Sequence, residues 1–125
     1  MTDDRHAHET ARSFFEELWQ RGDPWELEAS PFEQARYGRV LAMLDGRHYG
    51  SALELGCAAG AFTRMLAPLA DRIVAVDISP TAIARARAAA GADHEKIDFR
   101  AGNIMDFDLH QDGPWDLVVM SETIY

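Results

Sequence analysis

The residues of this sequence that are best suited to bind a ligand lie in a short turn and at the end of the strand predicted after it. Gly56 and Gly60 bracket the turn, and Glu54 precedes it within the apolar run Ser51–Leu55. Glycines permit a tight turn and a close approach of ligand to backbone, and a strand-to-helix turn aims N–H groups at that ligand. Asp77 ends the next apolar run, where a carboxylate can accept hydrogen bonds from ribose hydroxyls. The pattern therefore predicts a nucleoside-type site.

The composition of the turn separates two classes of nucleoside ligand. Dinucleotide-binding turns carry the pattern Gly-x-Gly-x-x-Gly, in which the middle glycine admits a pyrophosphate. Ala58 stands at that position here, although Asp77 is retained at the end of the following run. A nucleoside without phosphates therefore fits better, and a nicotinamide-dependent oxidoreductase stays as an alternative function.

Helical and strand patterns alternate along the chain. Apolar spacing of three and four residues with Ser-Pro caps predicts helices, whereas short apolar or alternating runs predict strands. Helices are predicted at 1–22, 30–46, after Gly60 and at 79–90, and strands at 51–55, 72–77, 96–101 and 115–122. Such alternation is typical of βαβ units with a parallel sheet, whose carboxyl-terminal strand ends share one ligand-binding edge. The polar residues expected at that edge are Glu54, Asp77, Asn103, Ser121 and Glu122.

The chain of 125 residues has the length of one small domain and carries a formal net charge of −9. Because no basic surplus exists to neutralise phosphates, nucleic acids and anionic membranes are not expected as partners. A polar N-terminus and the lack of an apolar run of about 20 residues argue against a signal peptide and a membrane span. With one cysteine and no intrachain disulfide, a cytoplasmic protein is expected. His6 and His8 would lie on different faces of a helix, so no metal site is expected.

Cys57 has two interpretations. A nearby helix N-terminus can lower the pKa of a thiol and make it reactive. A small side chain also fits a crowded turn, and we predict this packing role for Cys57 rather than a catalytic one.

Four segments resemble motifs of the class I S-adenosylmethionine-dependent methyltransferases. They are Glu54–Gly60 (first motif), Val76–Ile78 (second), Gly102–Ile104 (third) and Asp116–Glu122 (fourth strand). A closer similarity to the nodulation-type N-methyltransferases covers nearly the whole chain, through Asp23–Trp25, Ser30–Gln34, Arg36–Tyr37 and Ser121–Tyr125. The resemblance implies an α/β fold with a Rossmann-like parallel sheet, strand order 3-2-1-4, helices on both faces and an N-terminal helical extension.

The same resemblance implies S-adenosyl-L-methionine as cofactor and S-adenosylhomocysteine as product. It places the methionine portion of the cofactor on the backbone of Gly56, Cys57 and Ala58. It implies that Glu54 either orients that turn or reaches the cofactor ammonium. By the same resemblance, Asp77 would take the ribose hydroxyls.

Further cofactor contacts are implied at the remaining motifs. Ile78 would pack on adenine, and Gly60, Ile104 and Ser121 belong to the motif segments that surround the cofactor. Asn103 stands where family members often carry Asp, and its amide oxygen can still accept a hydrogen bond from the adenine amino group. The resemblance also implies that Trp25 and Tyr37 contribute to a lid over the cofactor or to a wall of its pocket.

The implied reaction needs few catalytic side chains. A sulfonium is an activated leaving group, so methyl transfer chiefly requires a nucleophile held in line with it. Glu122 is the candidate general base by position alone. The expected function is methyl transfer to a small-molecule acceptor, with an amine favoured. The alternative is a non-catalytic half domain that binds the cofactor and needs a missing segment or a partner.

Two regions are expected along the chain: an N-terminal helical extension or lid at 1–48, and a cofactor-binding Rossmann-like half at 49–125. In the extension, an apolar stripe (Phe14, Phe15, Leu18, Trp19) is predicted to pack in a core, with a lid over the ligand as the alternative. Leu117–Met120 is apolar on both faces yet would lie at a sheet edge, which is an aggregation liability. We therefore expect that this chain is a piece of a longer methyltransferase, or that self-association or a partner chain covers this edge of the sheet.

Overall fold

The computed structural model describes residues 2–22, 30–44 and 46–120, with side chains described from residue 9 onward. Within these ranges the chain forms four helices: α1 (Thr2–Gln20), α2 (Pro31–Leu44), α3 (Ala61–Leu66) and α4 (Pro80–Ala89). The same residues form four strands: β1 (Tyr49–Leu55), β2 (Ala70–Asp77), β3 (Ile97–Ala101) and β4 (Leu117–Met120). Short 3-10 turns cover Ala67–Leu69, Gly91–Asp93 and Ile104–Asp106. Every predicted helix and strand is thus present, with ends shifted by a few residues.

The four strands form one parallel sheet in the order β3-β2-β1-β4. This order confirms the predicted Rossmann-like arrangement. The pairing extends to the carboxyl ends of the strands, where Leu55 lies opposite Val76 and Asp77 opposite Ala101. The segments that follow β1, β2 and β3 therefore meet at one edge of the sheet.

Helix ends follow the predicted caps. The Ser30 hydroxyl accepts the Glu33 N–H at the start of α2, and the Ser79 hydroxyl accepts the Ala82 N–H at 3.1 Å at the start of α4. Such N-terminal caps satisfy backbone donors that have no partner within the helix. Gly91 follows α4 with a φ of +60°, the left-handed conformation that commonly ends a helix.

The main core lies on one face of the sheet. Alternate strand residues such as Ala52, Ile73 and Phe99 pack there against Phe62 of α3 and Ile83 of α4. Tyr37 of α2 joins the same core, and its ring lies 5.3 Å from that of Phe62. Helices α2, α3 and α4 thus cover this face, in keeping with crossover connections of one hand.

The second face of the sheet has a smaller core. Leu53, Leu55, Val74 and Val76 are buried there. Among the described residues, this face is covered by Ile104, Phe107 and Trp115, which belong to the 3-10 turn and the loop between β3 and β4. The segment between β3 and β4 therefore covers this face with a short turn and a loop.

Strand β4 forms one edge of the described sheet. Its amino end is fixed by Asp116, whose Oδ2 accepts the N–H groups of Gly50 and Ser51 at 2.9 and 3.0 Å. Val118 and Met120 are 49% and 60% exposed, respectively. The exposed apolar edge that the sequence predicted is therefore present in this part of the chain.

Candidate active site

The turn after β1 is fixed by hydrogen bonds to the neighbouring strand. The N–H groups of Gly56 and Cys57 donate to the carbonyl oxygen of Val76 at 2.8 and 3.1 Å. The N–H of Ala58 donates to Oδ1 of Asp77 at 3.0 Å. We expected these amides to face a ligand. Instead they donate hydrogen bonds within the protein. A ligand would therefore contact this turn through packing against its backbone rather than through these three N–H groups.

Gly60 is required by its conformation and by its neighbours. Its φ is +85°, in the left-handed region that disfavours side chains with a Cβ. A Cβ on this residue would lie 3.2 Å from Cβ of Ala86 and 3.3 Å from Cζ of Phe99. Gly60 thus allows α3 to start close against α4 and β3, beneath the turn.

Glu54 is a completely buried carboxylate in β1. It has no exposed surface, and the Thr63 hydroxyl in α3 donates to its Oε1 at 2.5 Å. Buried carboxylates are costly unless hydrogen-bonded, so this contact ties the start of α3 to the strand. The contact supports the first of the two roles considered for Glu54, that of orienting the turn.

Asp77 organises the two loops that follow β1 and β2. Its Oδ1 accepts the Ala58 N–H, and its Oδ2 accepts the Ser79 N–H at 3.1 Å. The residue is 8% exposed, at the edge where the strands end. A carboxylate can accept about four hydrogen bonds in all, and the role of Asp77 toward a ribose hydroxyl stays a prediction.

The environment of Cys57 is apolar and negatively charged. Burial raises the pKa of the thiol well above its usual value, and the charges of Glu54 and Asp77 raise it further. The thiol is therefore protonated at neutral pH, which fits the packing role and opposes the reactive one. The same shift indicates a negative electrostatic potential at the turn.

We expect Cys57 to be alkylated by iodoacetamide much more slowly in the folded chain than in urea, because it is 3% exposed and its thiolate is disfavoured. Mass spectrometry over time measures this directly, since the chain has one cysteine. Labelling of the folded chain should stay slower than that of the unfolded chain at both pH 7 and pH 9, because the raised pKa keeps the buried thiol protonated at both. Equal rates in both states would contradict the protonated, buried thiol.

A cleft of about 360 Å³ opens at the carboxyl edge of the sheet, and its lining does not include Asp77. It is lined from three sides: by Glu9 and Arg12 of α1, by Ile78 and Pro80 after β2, and by Ala101, Gly102, Asn103 and Asp106 after β3. Ile78 and Asn103 therefore lie together in the cleft, as the motif order predicted. The cleft combines apolar contact with amide and carboxylate groups, a composition typical of small-molecule sites.

Asn103 also stabilises the loop in which it lies. Its Oδ1 accepts the Met105 N–H at 2.9 Å, at the start of the 3-10 turn. An amide oxygen has a second lone pair, and the side chain carries two N–H donors. A hydrogen bond from Asn103 to a base remains chemically available, and its role toward adenine stays a prediction.

The other predicted cofactor contacts lie elsewhere or outside the described residues. Tyr37 is 2% exposed and packs on Phe62 in the main core, while Ile104 packs on the second face of the sheet. Their predicted cofactor roles stay predictions. Trp25, Ser121 and the candidate base Glu122 lie outside the described residues.

Helix α1 contributes residues that the sequence analysis did not place in the site. Trp19, predicted as core, is 2% exposed and packs on Ala58 of the turn and Ala82 of α4. Glu16 bonds to the start of α4, and Glu9 and Arg12 line the cleft. Their spacing in the sequence could have indicated this role, because it places the side chains of Glu9, Arg12, Glu16 and Trp19 on one face of the helix.

Two absences hold for the part of the chain that the structure describes. No cluster of three or more His, Cys, Asp or Glu side chains there is placed to hold a metal ion. Among the helices described, none has both the length and the apolar character needed to cross a membrane.

Solved structures with known ligands resemble this chain. The crystal structure of N-methyltransferase NodS from Bradyrhizobium japonicum WM9 in complex with S-adenosyl-l-homocysteine superimposes with a TM-score of 0.69. It is 37% identical, and the alignment covers 78% of this chain and 48% of that one. The complex of DhpI with SAH gives a TM-score of 0.70 at 29% identity, covering 90% of this chain and 52% of that one.

Sequence comparison gives the same relationship. Nodulation protein S of Bradyrhizobium diazoefficiens is 46% identical over 105 residues, covering 82% of this chain and 48% of the relative. The chain thus spans about half the length of the curated relatives it matches first. The profile of the nodulation protein S family matches residues 7–125. The chain therefore belongs to the nodulation protein S (NodS) family.

Proposed function

We propose that this chain binds S-adenosylmethionine and belongs to an enzyme that transfers the cofactor's methyl group to a small-molecule acceptor. The observation that carries the proposal is the cleft at the carboxyl edge of the sheet, which Ile78 and Asn103 line together. A NodS N-methyltransferase with the same fold binds S-adenosylhomocysteine. We infer a corresponding site here.

The residues present fit the adenosine part of this cofactor. Asp77 would accept the ribose hydroxyls with the carboxylate that also holds the loops after β1 and β2. Ile78 and Pro80 would provide apolar contact for the adenine, and Asn103 would supply a polar contact to its edge. The backbone of Gly56–Ala58, already fixed by Val76 and Asp77, would pack against the methionine part.

The electrostatics of the turn favour a cationic ligand over a phosphate. Besides burial, the charges of Glu54 and Asp77 raise the pKa of the Cys57 thiol, which indicates negative potential at this point. A pyrophosphate would be repelled there, whereas the sulfonium and ammonium groups of S-adenosylmethionine would be stabilised. This argument favours the methyl donor over a nicotinamide dinucleotide.

In this reaction the protein mainly has to position the cofactor and the acceptor and to provide a favourable electrostatic environment. When bound, the cofactor supplies a methyl group on a sulfonium that is already activated for transfer. The residues of this chain would hold the nucleoside in the cleft and keep the turn rigid, which sets the direction in which an acceptor can approach. We propose an amine as acceptor, because the NodS relative is named an N-methyltransferase.

Calorimetric titration tests the binding part of the proposal. We expect the folded chain to bind S-adenosylhomocysteine and to show no binding of NAD at the same concentrations. The reverse selectivity would contradict the proposal and support the oxidoreductase alternative. Absence of binding to either ligand would also count against it.

A methylation assay with a panel of small amines tests the second part. Turnover would support the enzyme, and the transferred methyl can be located by mass spectrometry of the product. Cofactor binding without turnover by this chain, together with turnover after addition of the remaining half of a NodS relative, would instead support the cofactor-binding half domain.

A further inference from the structure

One face of α1 carries both the residues that line the cleft and the residues that pack on the elements beside it. Glu9, Arg12, Glu16 and Trp19 recur at spacings of three and four residues, which places them on the same side of the helix. Glu9 and Arg12 line the cleft, and Trp19 is buried against the turn. Glu16 lies between these two contacts and bonds to a different element.

Glu16 binds the N-terminus of α4 from outside that helix. Its Oε2 accepts the Ser79 hydroxyl at 3.0 Å, and its Oε1 accepts the Thr81 N–H at 3.0 Å and the Thr81 hydroxyl. A carboxylate at this position satisfies a helix N–H that has no partner within α4 and interacts favourably with the helix dipole. Glu16 therefore completes a cap that Ser79 begins.

Ser79 connects this contact to the cofactor site. Its hydroxyl bonds to Glu16, while its N–H donates to Oδ2 of Asp77 at 3.1 Å. Ser79 is completely buried, so its position depends on both carboxylates. Asp77 in turn holds the Ala58 N–H, and Trp19 of α1 packs on Ala58. Helix α1 thus contacts the Asp77 network at two points.

The carboxyl end of α1 is anchored as well. The Arg85 guanidinium in α4 lies 5.7 Å from the Trp19 ring and donates to the Gly22 carbonyl oxygen at 2.6 Å. Cation–π contacts and charge-assisted hydrogen bonds of this kind stabilise docking at this end of α1. Among the described hydrogen bonds between α1 and α4, those of Glu16 lie nearer to the residues that face the cleft.

We propose that Glu16 is a positioning residue that couples the docking of α1 to cofactor binding. It holds Glu9 and Arg12 in the wall of the cleft and fixes the loop that follows Asp77, although it touches no cofactor atom. The inference rests on the proposed function, because the ligand of the cleft is taken to be S-adenosylmethionine. Thermodynamic linkage requires the two effects to be equal: the free energy by which the cofactor stabilises the docked position of α1 is the free energy by which docking of α1 strengthens cofactor binding.

Three variants test the coupling. Glu16→Ala should weaken binding of S-adenosylhomocysteine by about tenfold in calorimetry, since charge-assisted hydrogen bonds at the docked helix are lost. Glu16→Gln retains an acceptor oxygen for the Thr81 N–H and should recover part of this loss. The control is Glu17→Ala on the exposed face, where Glu17 pairs with Arg21 at 2.6 Å, and it should change binding by less than about twofold.

Hydrogen exchange of the α1 amides separates coupling from a purely structural role. In the wild-type chain, S-adenosylhomocysteine should slow exchange in α1, and in Glu16→Ala this protection should be lost. Wild-type affinity in Glu16→Ala, or equal ligand protection in both chains, would overturn the inference while leaving the proposed function intact. If the wild-type chain binds no S-adenosylhomocysteine, the proposed function fails and the coupling with it, whereas exchange without ligand still reports whether Glu16 docks α1.

Discussion

Replacing Asp77 with alanine is expected to remove measurable binding of S-adenosylhomocysteine and to lower the free energy of unfolding by about 3 kcal/mol. The stability loss arises because the Ala58 and Ser79 N–H groups both lose their acceptor in a buried position. Binding is expected to be lost completely for two reasons. The turn after β1 and the loop after β2 lose their common attachment, and the ribose loses its hydrogen-bond acceptor. Calorimetry and urea denaturation followed by circular dichroism measure the two effects.

The matched control lies on the same strand. Asp71, at the other end of β2, is exposed and contacts His48 at 2.6 Å, so Asp71→Ala should leave binding unchanged and cost little stability. Asp77→Asn separates charge from shape, because one amide oxygen can still accept one of the two N–H groups. An Asp77→Ala chain that binds S-adenosylhomocysteine like wild type would refute the ribose assignment.

The second large effect is expected at Glu54. Glu54→Ala should lower the free energy of unfolding by about 3 kcal/mol, because it leaves a cavity beside Thr63 and an unpaired buried hydroxyl. Chemical denaturation gives the value. A loss below about 1 kcal/mol would mean that the carboxylate is not needed to hold α3 on β1.

Glu54→Gln distinguishes the two roles considered for this residue. If Glu54 orients the turn through Thr63, an amide oxygen can still accept the hydroxyl, and affinity for S-adenosylhomocysteine should stay within about threefold of wild type. If the charge instead contacts the cofactor ammonium, Glu54→Gln should weaken binding nearly as much as Glu54→Ala. The buried contact with Thr63 leads us to expect the first result.

Local patterns in the sequence were sufficient to predict the framework of the site. The apolar run ending at Asp77 and the Ser79-Pro80 cap each depend on residues close together in the chain, and both are present as predicted. Parallel pairing follows from the alternation of elements, which places Asp77 and Asn103 on adjacent loops. These features follow from short-range rules of strand and helix formation.

The features that the sequence did not predict depend on contacts between distant residues. Glu16 and Thr81 are far apart in the chain, and no local pattern states that a carboxylate on one helix caps another. Trp19 was correctly predicted to be buried, but its partner Ala58 depends on how α1 lies across the sheet edge. The N–H groups of Gly56 and Cys57 were expected to face a ligand, yet the Val76 carbonyl accepts both because pairing of β1 with β2 continues into the turn.

The close contacts of Gly60 have a consequence for how related sequences can diverge. A Cβ at position 60 would lie only 3.2 Å from Cβ of Ala86 and 3.3 Å from the ring of Phe99, closer than most Cβ contacts in proteins. The three positions therefore share one fixed volume, and a larger residue at any of them requires a smaller one at another. Because the φ of +85° also disfavours a side chain at position 60, we expect homologues to keep glycine there and to covary at positions 86 and 99, with a larger residue at one accompanied by a smaller one at the other.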